Sequence, residues 1–393
     1  MNIFRILLVL FIFSEHVYSQ KRTVLVLSLD GVGFNYLQSQ DLPSFNRLKK
    51  EGIRGKLKPV FQSTTFPAHA SMATGVYPDR HGILHNIFFD RDKGKYSYSG
   101  DTNWFDVPPI WILAEQQSIK SALYYWIGSE TDWRGTIPTL RKIPFNNKID
   151  ETKKINQIID WLDLPQKERP GLIMSWWHGI DNVAHRYGPF SKEVKNKLSE
   201  QDLYLGRLLV ELDKRNSWEY LTLIVVSDHG MTSVSNYIDL ESILEGHGIS
   251  SEVYEGPAVA NIFLEEINIK KGKDILLANP FLSVYDKSDV PKDFHLFHPK
   301  RSGDLIITTE APNMFVKKSK FNNLIKKFLG PKGMHGYHPQ NEDMIAIFYA
   351  IGKGVRHQKE VLSINQVDLA PTIAEILDIK FPFVPDGKAI NLE

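Results

Sequence analysis

The chain of 393 residues contains no cysteine, and this absence excludes disulfides, thiol nucleophiles and thiolate metal sites. Any metal would have to be held by Asp, Glu and His, which are hard or borderline ligands. An excess of one charge is also missing, because 47 basic residues face 46 acidic ones and the net charge is +1. We therefore expect no nucleic-acid partner. The absence of any Asn-x-Ser/Thr sequon favours an exported bacterial protein over a eukaryotic glycoprotein.

The apolar run at the N-terminus is too short to cross a bilayer. Ile6 to Phe13 is unbroken, follows the positive charge of Arg5 and precedes a small-residue pattern, Val17-Tyr18-Ser19. A spanning helix needs about 20 apolar residues, so the pattern indicates a signal peptide over residues 1–19. The alternative is an uncleaved N-terminal anchor. We expect a secreted or periplasmic protein with no stable membrane anchor after cleavage.

Short apolar, β-branched runs alternate with amphipathic segments along the rest of the chain. Such runs are typical of strands buried on both faces, and we predict them over Thr23–Ser28, Leu172–Trp177 and Leu221–Ser227. The alternation predicts an α/β fold, a three-layer α/β/α sandwich with a mostly parallel central sheet. The texture changes over about 251–332, where we expect an inserted smaller subdomain. The core, about 20–250 and 333–393, and this insert would form a single domain.

Acidic and histidine side chains follow the predicted strands or precede the next apolar run: Asp30, Asp181, His185, Asp228, His229 and His335. Because the carboxyl ends of parallel strands meet at one edge of a sheet, we expect these side chains to cluster. A buried group of carboxylates is costly unless cations neutralise it. Three Asp and three His therefore predict two metal sites with the open, three-ligand coordination of catalytic zinc. The alternative is a set of unrelated turn and cap residues.

A hydroxyl-rich stretch, Ser63 to Thr65, lies just before Phe66 and Pro67. Proline is favoured in the first turn of a helix, so we expect Thr65 just ahead of a helix N-terminus. The helix dipole favours an anion there, and an activated hydroxyl could attack phosphorus or a carbonyl. An ordinary N-cap threonine is the alternative.

The candidate residues belong to longer motifs: Thr65-Phe66-Pro67-x-His69, Thr74-Gly75-x-Tyr77-Pro78-x-x-His81-Gly82-Ile83 with Asn86, Asp181-x-x-x-His185-x-x-Gly188-Pro189, Ser227-Asp228-His229-Gly230-Met231 and His335-Gly336-Tyr337. Together they resemble the nucleotide pyrophosphatase/phosphodiesterase family of the alkaline phosphatase superfamily. The resemblance covers nearly the whole chain after the targeting segment and is to the compact, bacterial-type members. It implies an alkaline-phosphatase-like fold.

The resemblance also implies a role for each matching residue. Thr65 matches the nucleophile, and Asn86 matches the residue that holds a phosphoryl oxygen. One zinc ion would be held by Asp30, Asp228 and His229, with Thr65 touching it, and the second by Asp181, His185 and His335. The substrate-binding residues would be Phe66, which stacks on the base, Phe145, which takes the place of a facing aromatic, and Trp176.

The function that the resemblance implies is hydrolysis of nucleotide phosphodiester or pyrophosphate bonds through a phospho-threonine intermediate. The products would be nucleoside 5′-monophosphates and the substrate a small nucleotide. The alternatives are a phosphodiesterase for choline phospholipid headgroups or other phosphate and phosphonate esters, and a non-catalytic binding protein. The sequence departs from the family at Ala68, at Gly179-Ile180 and at Ala184, which leaves the shape of the leaving-group side open.

Overall fold

The computed structural model describes residues 22–38, 40–317 and 330–393, so the predicted signal over 1–19 and part of the predicted insert lie outside it. The strands β1 to β18 span Thr23–Leu29, Ile53–Lys58, Ile87–Asp90, Gly94–Ser97, Ser121–Tyr124, Leu140–Lys142, Leu172–Trp177, Leu221–Val226, Thr232–Ser233, Asn236–Ile238, Glu252–Glu255, Val259–Phe263, Ser283–Asp286, Leu305–Thr308, Asn313–Phe315, Gly333–Met334, Ala346–Gly352 and Val361–Asn365. The described α-helices α1 to α10 span Pro43–Glu51, Thr65–Thr74, Pro78–His81, Ile110–Gln116, Glu151–Leu162, Asp181–Tyr187, Lys192–Lys214, Leu240–Glu245, Glu266–Leu277 and Leu369–Leu377. Within the described ranges, no helix has the length and apolar character needed to span a membrane.

Eight strands form the central sheet, in the order β18-β2-β17-β8-β1-β7-β5-β6. The pairs β1–β8, β1–β7, β7–β5, β5–β6 and β2–β18 are parallel. Strand β17 runs antiparallel to both of its neighbours, β8 and β2. The expectation of an α/β fold with a mostly parallel central sheet is therefore confirmed.

Helices cover both faces of this sheet, which explains why its central strands are apolar throughout. Along β1, Leu25 and Leu27 pack into one core with residues of α1, α5 and α7. Val24 and Val26 point the other way and pack with residues of α2, α4 and α10. Because neither face of the strand meets water, no alternation of polar and apolar residues is needed.

A second, four-stranded antiparallel sheet has the order β11-β12-β14-β13. Its strands lie between residues 252 and 308, within the range expected for the insert. Helices α8 and α9 pack with it around a separate apolar core that includes Leu244, Ile262 and Leu276. Helix α8 precedes the expected start near 251, and the boundaries of the insert stay a prediction.

A buried ion pair joins the hairpin β3–β4 to the segment before β14. The guanidinium Nε of Arg301 lies 2.7 Å from Asp90 Oδ2, and both side chains are almost fully buried. Arg301 also donates to the carbonyl of Trp104 and to Asp106 Oδ1. Each charge is therefore compensated by hydrogen bonds in a place that water does not reach.

We expect Arg301→Met to lower the free energy of unfolding by about 3–5 kcal/mol, because it leaves the Asp90 carboxylate buried without its partner. Chemical denaturation measures this loss. The control is Lys300→Met, since Lys300 pairs with Asp92 at an exposed position and such pairs contribute about 0–1 kcal/mol. Equal stability of the two variants would show that the buried pair does not hold the segments together.

Candidate active site

The carboxyl edge of the central sheet gathers the side chains that the sequence singled out. Asp30 follows β1, Asp181 opens α6 after β7, and Asp228 with His229 follows β8. Parallel neighbours deliver all of these residues to one edge. His335 precedes β17, and because β17 runs antiparallel its starting end lies at this same edge. In a strand parallel to the rest, a residue ahead of the start would lie at the opposite edge.

Thr65 is the first residue of α2, and Thr64 before it is extended. We expected the helix to start after Thr65, and it starts at Thr65. Pro67 is then the third helical residue, still within the first turn, where its missing N–H costs no hydrogen bond of the helix. Small residues such as Ala68 and Ala70 are fully buried along α2 and let it pack close to the sheet. The threonine hydroxyl therefore lies at a helix N-terminus, where backbone N–H groups favour an anion.

The histidine rings are oriented by hydrogen bonds to backbone carbonyls. His185 Nδ1 lies 2.9 Å from the carbonyl of Gly333, and His335 Nδ1 lies 3.0 Å from that of Ser63. His229 Nδ1 is 3.0 Å from the carbonyl of Gly230. Because a carbonyl only accepts, Nδ1 carries the proton in each ring and Nε2 presents a lone pair, the tautomer of a metal ligand.

The carboxylates meet these Nε2 atoms at short range. Asp228 Oδ2 lies 3.2 Å from His229 Nε2, and Asp30 Oδ1 lies 3.7 Å from the same nitrogen. Asp181 Oδ1 lies 3.2 Å from His185 Nε2 and 3.6 Å from His335 Nε2. Two acceptor atoms repel each other at such distances unless a proton or a cation lies between them; burial opposes a proton on His185, but the Asp181 carboxylate outweighs it and raises the pKa of that ring. Asp30 Oδ1 and Asp228 Oδ2 are moreover buried without a hydrogen-bond donor.

Among the described residues, two groups each offer three potential ligand atoms that all lie within 4.8 Å of one another. The first group is Asp30, Asp228 and His229, and the second is Asp181, His229 and His335. The first group is the ligand set expected for one ion. In the second, His229 stands where His185 was expected, although His185 Nε2 contacts Asp181 directly. His229 therefore lies between the two groups, with its ring stacked on His335 at a centroid distance of 3.6 Å. The donor set fits two divalent ions with N and O ligands.

Crowding of like charges sets the protonation of this cluster. Burial, together with the charges of Asp228 and Asp181, holds the pKa of Asp30 well above its usual value. Burial and the charge of His229 hold the pKa of His335 well below its usual value. Burial also opposes ionisation of Asp181, but the neighbouring His185 and His335 outweigh it and lower the pKa of Asp181. Without a cation it is therefore Asp30 that resists ionisation, which is the cost that a bound metal would offset.

The hydroxyl and amide proposed for catalysis lie beside this cluster. Thr65 Oγ1 is 3.5 Å from His229 Nε2. Asn86 Oδ1 accepts from the backbone N–H of Phe66 at 3.0 Å, which turns the amide NH₂ of Asn86 away from α2. Both residues line one cavity, so the NH₂ group is placed to donate to a ligand oxygen.

This cavity has a volume of about 550 Å³ and is bounded by two groups of aromatic rings. Phe66 packs edge-on against Tyr98 at 5.4 Å. The ring centroid of Phe145 lies 5.2 Å from that of Tyr125 and 5.5 Å from that of Trp176. The three residues expected to bind substrate thus line the same cavity as Asp30, Thr65, Asp181, His185 and His335.

Sequence reasoning missed two of these rings and a carboxylate. Tyr98 lies in the polar loop after β4 with a positive φ of 45°, and Tyr125 with a φ of 61°. Glu130 Oε1 accepts from the backbone N–H of Phe145 at 2.9 Å and so holds the backbone of this ring at the cavity wall. These residues belong to loops without periodicity, and no pattern in the sequence marks them.

One departure from the family, Gly179-Ile180, falls close to Asp30. Gly179 has a φ of 56°, and a Cβ at this position would lie 1.9 Å from the Asp30 carbonyl oxygen. The backbone N–H of Ile180 donates to that same carbonyl at 2.9 Å. A glycine is therefore required for the loop after β7 to approach the end of β1 so closely.

The fold and this site define an α/β sandwich protein with a candidate metal centre at the carboxyl edge of its central sheet. The sequence profile of the family described as Type I phosphodiesterase / nucleotide pyrophosphatase matches residues 24–338. The chain belongs to this family, which lies in the alkaline phosphatase superfamily.

Individual relatives agree with this assignment. The chain is 29% identical over 389 residues to venom phosphodiesterase 2 of Crotalus adamanteus, covering 92% of this chain and 46% of that protein. It is 30% identical over 376 residues to an uncharacterized pyrophosphatase/phosphodiesterase of Schizosaccharomyces pombe, covering 91% and 77%. It thus spans about half the length of the venom enzymes that it matches.

A solved structure is similar over nearly the whole chain. It is that of an inactive variant of murine ectonucleotide pyrophosphatase/phosphodiesterase 5 in complex with AMP. The TM-score is 0.86 at 26% sequence identity, and the match covers 94% of this chain and 98% of the murine chain.

Proposed function

We propose that this chain hydrolyses phosphodiester or pyrophosphate bonds of nucleotides, releases nucleoside 5′-monophosphates, and uses Thr65 as its nucleophile. The observation that carries the proposal is the position of Thr65 Oγ1, at the start of α2 and 3.5 Å from His229 Nε2. Family membership and the murine relative solved with AMP support the nucleotide as substrate.

Two zinc ions are the proposed cofactors. Asp30, Asp228 and His229 would hold the first beside Thr65, and Asp181, His185 and His335 would hold the second. When bound, such ions lower the pKa of a coordinated hydroxyl and stabilise negative charge on phosphoryl oxygens. The protein supplies the geometry, because backbone carbonyls fix the three imidazoles with Nε2 directed at the carboxylates.

Within this arrangement Thr65 Oγ1 attacks the phosphorus bonded to the nucleoside 5′ oxygen, the bond from phosphorus to the leaving alcohol or phosphate breaks, and that group departs. Water then attacks the phospho-threonine intermediate, which breaks the bond from phosphorus to Thr65 Oγ1 and releases the nucleoside 5′-monophosphate and the free hydroxyl. The amide NH₂ of Asn86 donates to an equatorial oxygen, and the N-terminus of α2 favours the negative charge. The described residues that line the cavity include no Lys or Arg. Neutral donors favour a phosphodiester with one charge over a monoester with two.

The aromatic rings of the cavity bind the nucleoside. Phe66 lies next to Thr65 in sequence and would stack on the base, and Phe145 and Trp176 line the same cavity. Stacking of a base on an aromatic side chain contributes about 1–3 kcal/mol.

We expect Phe66→Ala to raise KM for nucleotide diesters by roughly 5- to 150-fold, from the loss of that stacking energy. The KM for a small diester without a base should change much less. Steady-state kinetics on both substrates measures the difference. Equal losses would show that Phe66 only packs against Tyr98, and they would favour the choline-headgroup alternative.

A panel of substrates tests the function as a whole. The purified, zinc-loaded protein is assayed with a nucleoside phosphodiester, a simple monoester and a glycerophosphocholine-type ester. The proposal requires the nucleoside diester to have the highest kcat/KM. A preference for the choline ester would replace it with the headgroup function, and no turnover of any ester would favour a non-catalytic binding protein.

We further propose that the protein is of the bacterial type and is secreted or periplasmic after cleavage of the targeting segment. The apolar run over Ile6–Phe13 and the absence of sequons support this. Fractionation of cells that express the full chain, with N-terminal sequencing of the product, tests the location and the cleavage after residue 19.

A further inference from the structure

A lysine lies buried behind the candidate metal centre. Lys154 is on α5, and its side chain is inaccessible to solvent. Burial lowers the pKa of this amine to about 8, although neighbouring carboxylates oppose the shift. Lysine is almost never buried without a partner, because an ammonium group loses its hydration there. Its surroundings must therefore compensate it.

The Lys154 ammonium group is surrounded by Trp176, Glu151 and His178, whose Nδ1 lies 3.4 Å from Nζ. Lys154 Nζ donates to the backbone carbonyl of Trp176 at 2.9 Å and lies 4.7 Å from the centre of the indole ring. Glu151 Oε1 is 3.8 Å away and also accepts from the backbone N–H of His178 at 2.9 Å. Burial opposes ionisation of Glu151, but His178 and Lys154 outweigh it and lower its pKa to about 2. The pair thus fixes the end of β7 on both sides of Trp177.

Trp176 carries this arrangement to the metal ligand. Its indole N–H donates to Asp30 Oδ2 at 3.0 Å, across the parallel pairing of β7 with β1. Asp30 Oδ1 is left buried without a donor, 3.7 Å from His229 Nε2. Asp30 Oδ2 therefore accepts a hydrogen bond from Trp176, while Asp30 Oδ1 remains available to bind a cation.

We propose that Lys154 and Trp176 are positioning residues for Asp30: the ammonium group holds the carbonyl and indole of Trp176, and the indole N–H turns Asp30 Oδ1 toward the metal. The inference rests on the proposed metal centre. A ligating carboxylate that is not held from behind samples several rotamers, and removing such a support typically costs about 10–100-fold in metal affinity. Neither residue touches the ion itself.

The variant Trp176→Phe tests the contact between Trp176 and Asp30. It keeps an aromatic ring at the cavity wall but removes the N–H that holds Asp30. We expect zinc affinity, measured without substrate by competition with a chromophoric chelator, to fall about 10–100-fold for one of two ions. The KM of metal-saturated enzyme for a nucleotide diester should change less than this affinity. Unchanged affinity in folded Trp176→Phe would overturn the proposal.

The variant Lys154→Met tests the contact between Lys154 and Trp176, with Lys153→Met as its control. Lys153 is the exposed neighbour on the same helix, so its loss should leave zinc affinity unchanged. Lys154→Met should weaken the same ion as Trp176→Phe, and the double variant should lose no more than the larger single loss. Additive losses in the double variant would show that Lys154 does not act through Trp176. If Lys154→Met does not fold, the Trp176→Phe result decides.

These measurements separate the inference from the proposed function. Wild-type protein that binds fewer than two zinc ions would contradict the metal centre on which the inference rests. Wild-type protein that binds both ions, with variants of unchanged affinity, would contradict the positioning role alone.

Discussion

Thr65→Ala is expected to lose turnover by about 10³-fold or more while the fold and both metal ions are retained. The hydroxyl is the proposed nucleophile, and without it the covalent step cannot take place. The N-cap position of α2 is Thr64, and the Thr65 hydroxyl instead lies against His229 Nε2, so alanine at position 65 should not unravel the helix. Turnover of a nucleotide diester, zinc content and circular dichroism together measure the three expectations.

Thr65→Ser is the matched control because it restores an oxygen at nearly the same place. It should recover part of the lost turnover. Near-wild-type activity of Thr65→Ala would contradict the assignment, and direct attack by water would then explain the hydrolysis.

Removal of metal is expected to abolish activity, and added zinc should restore it. Asp30 and Asp228 each present a buried oxygen without a hydrogen-bond donor, and burial with like-charged neighbours raises the pKa of Asp30, so bound ions are needed to stabilise the ionised cluster. Elemental analysis of active protein should give two zinc ions per chain. One ion or none in fully active protein would contradict this expectation.

Single ligand changes should distinguish the two sites. Asp30→Ala should lose mainly the first ion and His335→Ala mainly the second. His229→Ala should weaken both, because His229 belongs to both groups of ligand atoms. His247→Ala is the control, since His247 is an exposed residue just after α8, belongs to neither group of ligand atoms and should leave the zinc content at two. If His229→Ala lost one ion only, His229 would be a ligand of a single site, which would contradict this expectation.

The sequence predicts the central sheet well because burial on both faces leaves an unambiguous apolar pattern. Strands β1, β7 and β8 begin at the residues expected from that pattern. It also predicts that the acids after these strands come together, since parallel strands share one carboxyl edge. The antiparallel direction of β17 was not predictable in this way, because a buried strand reads the same in either direction.

The contacts behind the site were not predictable from local patterns. Trp176 and Asp30 are far apart in the chain and meet only because β7 pairs with β1. Lys154 looks like any lysine of an amphipathic helix, and only the packing of α5 shows that its side chain is buried. Tyr98 belongs to an exposed loop whose composition says nothing about a cavity.

The ligand geometry has a consequence for the persistence of the folded chain. Asp30 meets Asp228, and Asp181 meets His335, across long separations in sequence. Ions shared by these residues would close large loops and act as reversible cross-links in a chain that has no cysteine. Exported proteins commonly use disulfides for such constraint, since a closed loop restricts the unfolded chain. Here the protease resistance of the folded chain would follow the supply of divalent metal rather than the redox state of the surroundings.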